Sequence, residues 1–231
     1  MTRSLAFLHT SPVHIQTFDA LLAELAPDIP ARHIVDASLL SEACASGGVT
    51  PALRERVEMI LLTAIEEQDA AVMVCTCSSI GAIAEAVNSR SPATLMRIDR
   101  PMATEAVAPG SRIIVAATLS TTLIPTRELI LSVAHEVGKE VQITELLCDS
   151  AWRQFEQGNQ EAYLREVADN LQSAASHGDV IVLAQASMAR AVELCSDLTL
   201  PVLTSPRSGL LAAIKAYREC TVSQYPGSLK T

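Results

Sequence analysis

Four short stretches hold the residues best placed to do chemistry: His9-Thr10, Cys75-Thr76-Cys77-Ser78, Thr118 through Thr122, and Gln185-Ala186-Ser187. Cys75 closes the apolar run Val72-Met73-Val74 and stands just before a helix expected from Ser79. Backbone N–H groups at a helix start favour the thiolate and lower the thiol pKa, so Cys75 is the candidate base or nucleophile. The competing reading is a small buried hydrophobe, a common state of cysteine. Cys77 reads as packing against the helix start or as lending a weak hydrogen bond to a substrate. His9 is a candidate acid/base or substrate donor. The hydroxyls of Thr10, Thr76, Ser78, Ser79, Thr118, Thr121, Thr122 and Ser187, with nearby backbone amides, suit a carboxylate. Helix capping is the plainer use of the same groups.

Other chemistries lack their residues. No second Cys pair or His pair lies at ligand spacing and the five histidines are scattered, so no metal site is expected. The Thr-rich turn before Pro125 carries no glycine phosphate fingerprint, which disfavours a nucleotide. Cys44, Cys148, Cys195 and Cys220 have no convergent polar neighbours in the sequence and read as structural free thiols.

The elements that must position these residues follow from the hydrophobic pattern. Strands are expected near Ser4–Leu8, Arg32–Val35, Ala71–Val74, Ala93–Arg97, Arg112–Ala116, Val141–Glu145, Val180–Leu183 and Val202–Thr204, with helical segments between them. The helix at Pro51–Gln68 has the clearest signature. Thr50 can cap it, Pro51 takes its first position, and Leu53, Val57, Ile60, Leu61, Ala64 and Ile65 make one apolar stripe. Further helices are expected at Ile15–Leu25, Ser79–Asn88, Pro125–Val137, Gln160–Ser176, Met188–Cys195 and Ser208–Cys220. This alternation predicts βαβ units around parallel strands.

The chain also matches itself. The strand at Leu5 ends in His9-Thr10 and the strand at Ile113 ends in Ala117-Thr118. The run at 72–78 recurs in kind at 181–187, and Ser-Pro-Ala-Thr-Leu-Met at 91–96 recurs as Leu-Pro-Val-Leu-Thr-Ser at 200–205. All three offsets are about 110 residues. Two halves of four strands each allow a closed barrel or two doubly wound lobes facing each other across a cleft. In either, the chemistry belongs at the carboxyl ends of the strands, which is where the four stretches fall.

Composition narrows the partners. Hydrophobic residues make up 49% and charged residues 19% of the 231, which fits a globular α/β protein. A net charge of −9 with no Lys/Arg cluster argues against nucleic acid. The apolar stretch near Leu5–Leu8 is too short for a signal peptide, and no run approaches the length of a membrane span. The expectation is a cytoplasmic protein with no membrane partner.

At Val74-Cys75-Thr76-Cys77-Ser78, Val115-Ala116-Ala117-Thr118-Leu119-Ser120-Thr121, Asp179 to Met188, and Pro201-Val202 leading into Thr204-Ser205-Pro206, the sequence resembles the aspartate/glutamate/hydantoin racemase family, with its arylmalonate decarboxylase and maleate isomerase relatives. The resemblance runs over most of the chain. It implies an α/β protein of two pseudo-symmetric doubly wound parallel-sheet domains with the active site in the cleft between them. Residues 1–97 with 206–231 would form the first lobe and 98–205 the second. It implies no cofactor and a small carboxylate substrate, and it leaves homo-oligomer formation open. Family racemases carry a cysteine at each of two motifs, one on each face of the substrate. Here the second position holds Gln185, whose amide can hydrogen-bond but is no base at neutral pH. The readings this leaves are racemisation with Cys75 and another acid such as His9 or water, thiolate-assisted isomerisation, one-cysteine decarboxylation of a malonate-type acid, and a non-catalytic carboxylate-binding protein.

Overall fold

The computed structural model describes residues 3–223. They form β1 (Ser4–His9), α1 (Val13–Leu25), β2 (Ala31–Val35), α2 (Ala37–Ala45), α3 (Pro51–Glu67), β3 (Ala70–Cys75), α4 (Ser78–Asn88), β4 (Thr94–Arg97) and α5 (Arg100–Val107). They continue with β5 (Arg112–Ala117), α6 (Ser120–Glu136), β6 (Gln142–Leu147), α7 (Asp149–Glu156), α8 (Gln160–Ala174), β7 (Val180–Leu183), β8 (Val202–Thr204) and α9 (Ser205–Ser223). Two 3-10 segments, Ala175–His177 and Ala186–Leu194, flank β7.

The strands make two four-stranded sheets, ordered β2-β1-β3-β4 and β6-β5-β7-β8, and every pairing is parallel. The two orders are the same topology written twice, so the doubly wound reading holds and the single closed barrel does not. The chain divides into two compact units. One runs to Ile98 and resumes at Gly209, and the other is Asp99–Ser208.

Each sheet is covered on both faces. In the first unit Ala6, Leu8, Met73 and Cys75 meet Leu53, Val57, Leu61 and Ile80 from α3 and α4. Their strand neighbours Leu5, Phe7, Val72 and Val74 meet Phe18 and Leu22 of α1 and Leu210, Ala213 and Ile214 of α9. In the second unit α5 and α6 cover one face, while α7, α8 and the second 3-10 segment cover the other. Strands buried on both sides read as continuous apolar runs, as β1, β3, β5 and β7 do.

Local signals set the helix ends. The Thr50 side chain accepts from the Leu53 N–H with Pro51 in the first turn, as the sequence predicts. The Asp36 side chain caps α2 by accepting from the Ser38 N–H. The helix expected from Pro125 begins five residues earlier, at Ser120, with Pro125 inside it. The ring removes one backbone donor near the helix start, and the Thr126 hydroxyl donates to the Thr122 carbonyl at 2.9 Å. The helix expected at Met188–Cys195 is instead the 3-10 segment, nine residues long and unusual at that length. Three short helices, α2, α5 and α7, were not expected.

Candidate functional site

In a sheet ordered 2-1-3-4 the chain winds in opposite directions on either side of the β1/β3 boundary, and ligands of such folds bind beyond the strand carboxyl ends at that point. In the first unit His9, Thr10 and Cys75 through Ser78 occupy that place. Alternation along the strands divides them between two faces.

On one face stands His9, fully buried and stacked on Phe7 and His33 at centroid distances of 5.9 and 5.2 Å. Its Nδ1 lies 2.8 Å from Thr76 Oγ1, and the Thr76 hydroxyl donates to the Leu8 carbonyl at 3.0 Å. His9 Nδ1 is therefore the donor to Thr76, which leaves Nε2 to accept from His33 Nδ1 at 2.9 Å. His33 Nε2 lies 3.0 Å from Asp19 Oδ1. Burial holds the His9 pKa down to about 3, with further lowering from His14 and His33. His14, the next histidine on α1, is lowered to about 4 by burial. His9 thus ties β1 to β3 and β2 as a neutral ring.

On the other face stand the two cysteines, in different surroundings. Cys75 is the last residue of β3, fully buried in the apolar layer with Leu8, Met73 and Ile80, and its Sγ lies 3.6 Å from the Cys77 carbonyl. Cys77 is partly exposed and forms the N-cap of α4, in extended backbone and without a formal capping bond from its sulfur. The Thr10 and Ser79 hydroxyls and the Ser79 and Ile80 amides face that sulfur and pull its pKa down. Burial is the larger effect and pushes the Cys77 thiol up. Ser78 and Ser79 are buried in the first turn of α4. Arg97, 4% exposed at the end of β4, lies over Gly81 in the same helix, with Nη1 3.9 Å from Glu85 Oε2.

The second unit repeats this construction with different contents. The Thr76 N–H donates to the Leu8 carbonyl at 3.0 Å, and the Ala184 N–H donates to the Ala116 carbonyl at 2.9 Å. This register matches Thr10 with Thr118 and Cys77 with Gln185, an offset of about 108 residues. Gln185 is likewise an extended N-cap, of the 3-10 segment after β7. Its Oε1 accepts from the Thr118 N–H at 2.6 Å and the Thr118 hydroxyl at 2.9 Å. Beside it Tyr163 of α8 and Ser187 share a hydrogen bond of 2.8 Å. Burial raises the Tyr163 phenol to about 12 against the Ser187 and Thr118 hydroxyls. Thr121 and Thr122 are buried in the first turn of α6. Cys148, at the end of β6, is buried with its thiol pushed up to about 11 by burial and by Glu166 and Asp149.

Within the first unit the structure thus groups Thr10 with Cys77 and His9 with Thr76, and within the second Thr118 with Gln185. The sequence reading missed His33, Asp19, Arg97 and Tyr163. Among the described residues no group of His, Cys, Asp and Glu could hold a metal ion, and no helix is long and apolar enough to cross a membrane.

No protein-family model matches the sequence, and no curated protein does. Among solved structures the chain is similar to a glutamate racemase isoform from Bacillus anthracis, at 15% identity and a TM-score of 0.69 over 98% of this chain and 84% of that one. The chain has a racemase fold. Allantoin racemase from Klebsiella pneumoniae shares this racemase fold at 16% identity and a TM-score of 0.62, over 94% of this chain and 88% of that one. So does an arylmalonate decarboxylase variant in a sulfate-associated form, at 16% identity and a TM-score of 0.54, over 93% of each chain. At these identities the likeness is one of fold. These neighbours carry the same names as the resemblance read from the sequence.

Proposed function

We propose that the chain is a racemase-type enzyme that moves the α-proton of a small carboxylic acid without a cofactor, with Cys77 as its acid/base. One observation carries this reading: Cys77, at the carboxyl end of β3 and the start of α4, is faced by two backbone amides and two hydroxyls. Those groups offset part of the cost of burying the sulfur anion left when the thiol gives up its proton, and burial keeps Cys77 as the thiol at rest. Cys75 is fully buried in the apolar layer with Leu8, Met73 and Ile80, and Cys77 is partly exposed. The neighbouring Thr10, Thr76, Ser78 and Ser79 supply hydroxyls for a carboxylate; in the second unit, taken by itself, Thr118, Gln185 and Ser187 are the polar groups at the corresponding strand ends. Thr121 and Thr122 serve α6 through its first turn. His9 is a positioning residue that holds Thr76.

A second reading, one-thiol decarboxylation of a malonate-type acid, is favoured by Gln185 at the position equivalent to Cys77 and by the raised Cys77 pKa. The carbon–carboxylate bond breaks, its electron pair stays on the α-carbon while carbon dioxide leaves, and the Cys77 thiol donates its proton to that carbon. Incubating candidate acids with the enzyme in heavy water separates the two readings. Deuterium entering the α-carbon without loss of carbon dioxide supports racemisation or isomerisation, and carbon dioxide release supports decarboxylation. Binding of acids with neither outcome rejects both in favour of a carboxylate-binding protein.

A further inference from the structure

The hydrogen bonds of Gln185 decide which end of its amide is on offer. Thr118 directs two donors at one atom, its N–H at 2.6 Å and its hydroxyl at 2.9 Å. A backbone N–H only donates, so the atom it meets is the amide oxygen and the flip of the side chain is fixed. Thr118 is itself 1% exposed at the end of β5, so the grip is rigid. The Nε2 group points the other way, and neither of its hydrogens has a partner among the described residues. Gln185 is only partly buried, so these donors are reachable.

We propose that Gln185 is a fixed amide N–H donor to a carboxylate oxygen of a small acid bound beyond the end of β7, a specificity residue for an anionic group. This rests on the reading of the chain as an enzyme of small carboxylic acids. An amide N–H is too weak an acid to shuttle protons, while it can donate a charge-assisted hydrogen bond to a carboxylate oxygen. The position favours acids over the corresponding neutral amides, because a charged carboxylate oxygen accepts the stronger hydrogen bond.

Gln185→Glu tests this directly, because it keeps an oxygen for Thr118 to grip and replaces only the NH2 group. The probes are malonate and its neutral diamide, malonamide, titrated into 15N-labelled protein. The Gln185 side-chain amide signal is the one missing from the Q185E spectrum. Malonate is expected to shift that signal in the wild type. In Q185E its affinity should fall roughly 10- to 100-fold, while malonamide binds at least as well as before. Thr118→Val, which removes the hydroxyl but keeps the N–H grip on the amide oxygen, should weaken malonate by a smaller factor. The proposal is overturned by an unmoved Gln185 signal, by unchanged malonate affinity in Q185E, or by equal losses for both probes. Cys77→Ser should bind malonate normally. Turnover surviving in Cys77→Ser would reject the proposed function and leave the Gln185 binding result to stand or fall on its own.

Discussion

Lowering the pH from 7 to 5 should weaken this protein through His9. Burial keeps the ring neutral in the fold, with a pKa of about 3 against 6.5 for the unfolded chain. Between those values the unfolded chain binds one more proton than the folded chain, so stability falls as the pH drops. The slope is about 1.4 kcal/mol per pH unit, and integrating from pH 7 to pH 5 gives a loss of about 2 kcal/mol from His9. His14, lowered to about 4, adds a loss of the same sign. The lowered carboxylates, Asp179 at about 2 among them, titrate below this window. Urea unfolding followed by circular dichroism at pH 7, 6 and 5, at constant ionic strength, measures the drop. His9→Asn removes the titrating ring. It should be less stable at pH 7, because Thr76 and His33 lose a partner, yet should lose about 2 kcal/mol less than the wild type on going to pH 5. A variant that loses as much as the wild type would refute the assignment to His9.

The remaining expectations are simpler. Cys77→Ser should lower turnover roughly 100- to 10,000-fold with little change in melting temperature, whereas Cys75→Ala should keep turnover and cost about 1 kcal/mol of packing. Steady-state rates and thermal melts on both variants check the pair, and lost turnover in Cys75→Ala alone would return the chemistry to that sulfur. Gly209→Ala should destabilise by about 3 kcal/mol, since the added carbon would lie 2.1 Å from the Ile98 carbonyl oxygen; a shift in melting temperature reads it. Tyr163→Phe should cost about 1 kcal/mol in urea unfolding by removing the phenol that meets Ser187.

Much of the fold was legible. Each strand is a short aliphatic run, and all eight expected strands overlap an observed one, from Ser4–His9 to Val202–Thr204. The missed helices α2, α5 and α7 span only eight or nine residues, too few for a period to emerge, although Asp36 capping Ser38 was a signal for α2. The strand ends that carry the candidate residues were legible, but which of the two sulfurs is fully buried was not. Cys75 and Cys77 point to the same face of the sheet, and β3 is buried on both sides, so no alternation of apolar and polar residues distinguishes the sealed position from the reachable one. The internal match at 72–78 and 181–187 was off by one residue for the same reason, and only the Thr76 and Ala184 hydrogen bonds set it. Tyr163 and His33 lie far along the chain from the residues they serve, and nothing local marks them.

The return of α9 to the first sheet sets an order of assembly. The second unit is one uninterrupted stretch, whereas the first waits for Leu210, Ala213, Ile214 and Tyr217 to cover Phe7, Phe18 and Leu22. A nascent chain halted on the ribosome before Gly209 emerges therefore presents a finished later half and an open-faced earlier half. Until that helix arrives, the apolar face of the first sheet stays open, and exposed hydrophobic surface of this kind is what makes incomplete chains prone to aggregation.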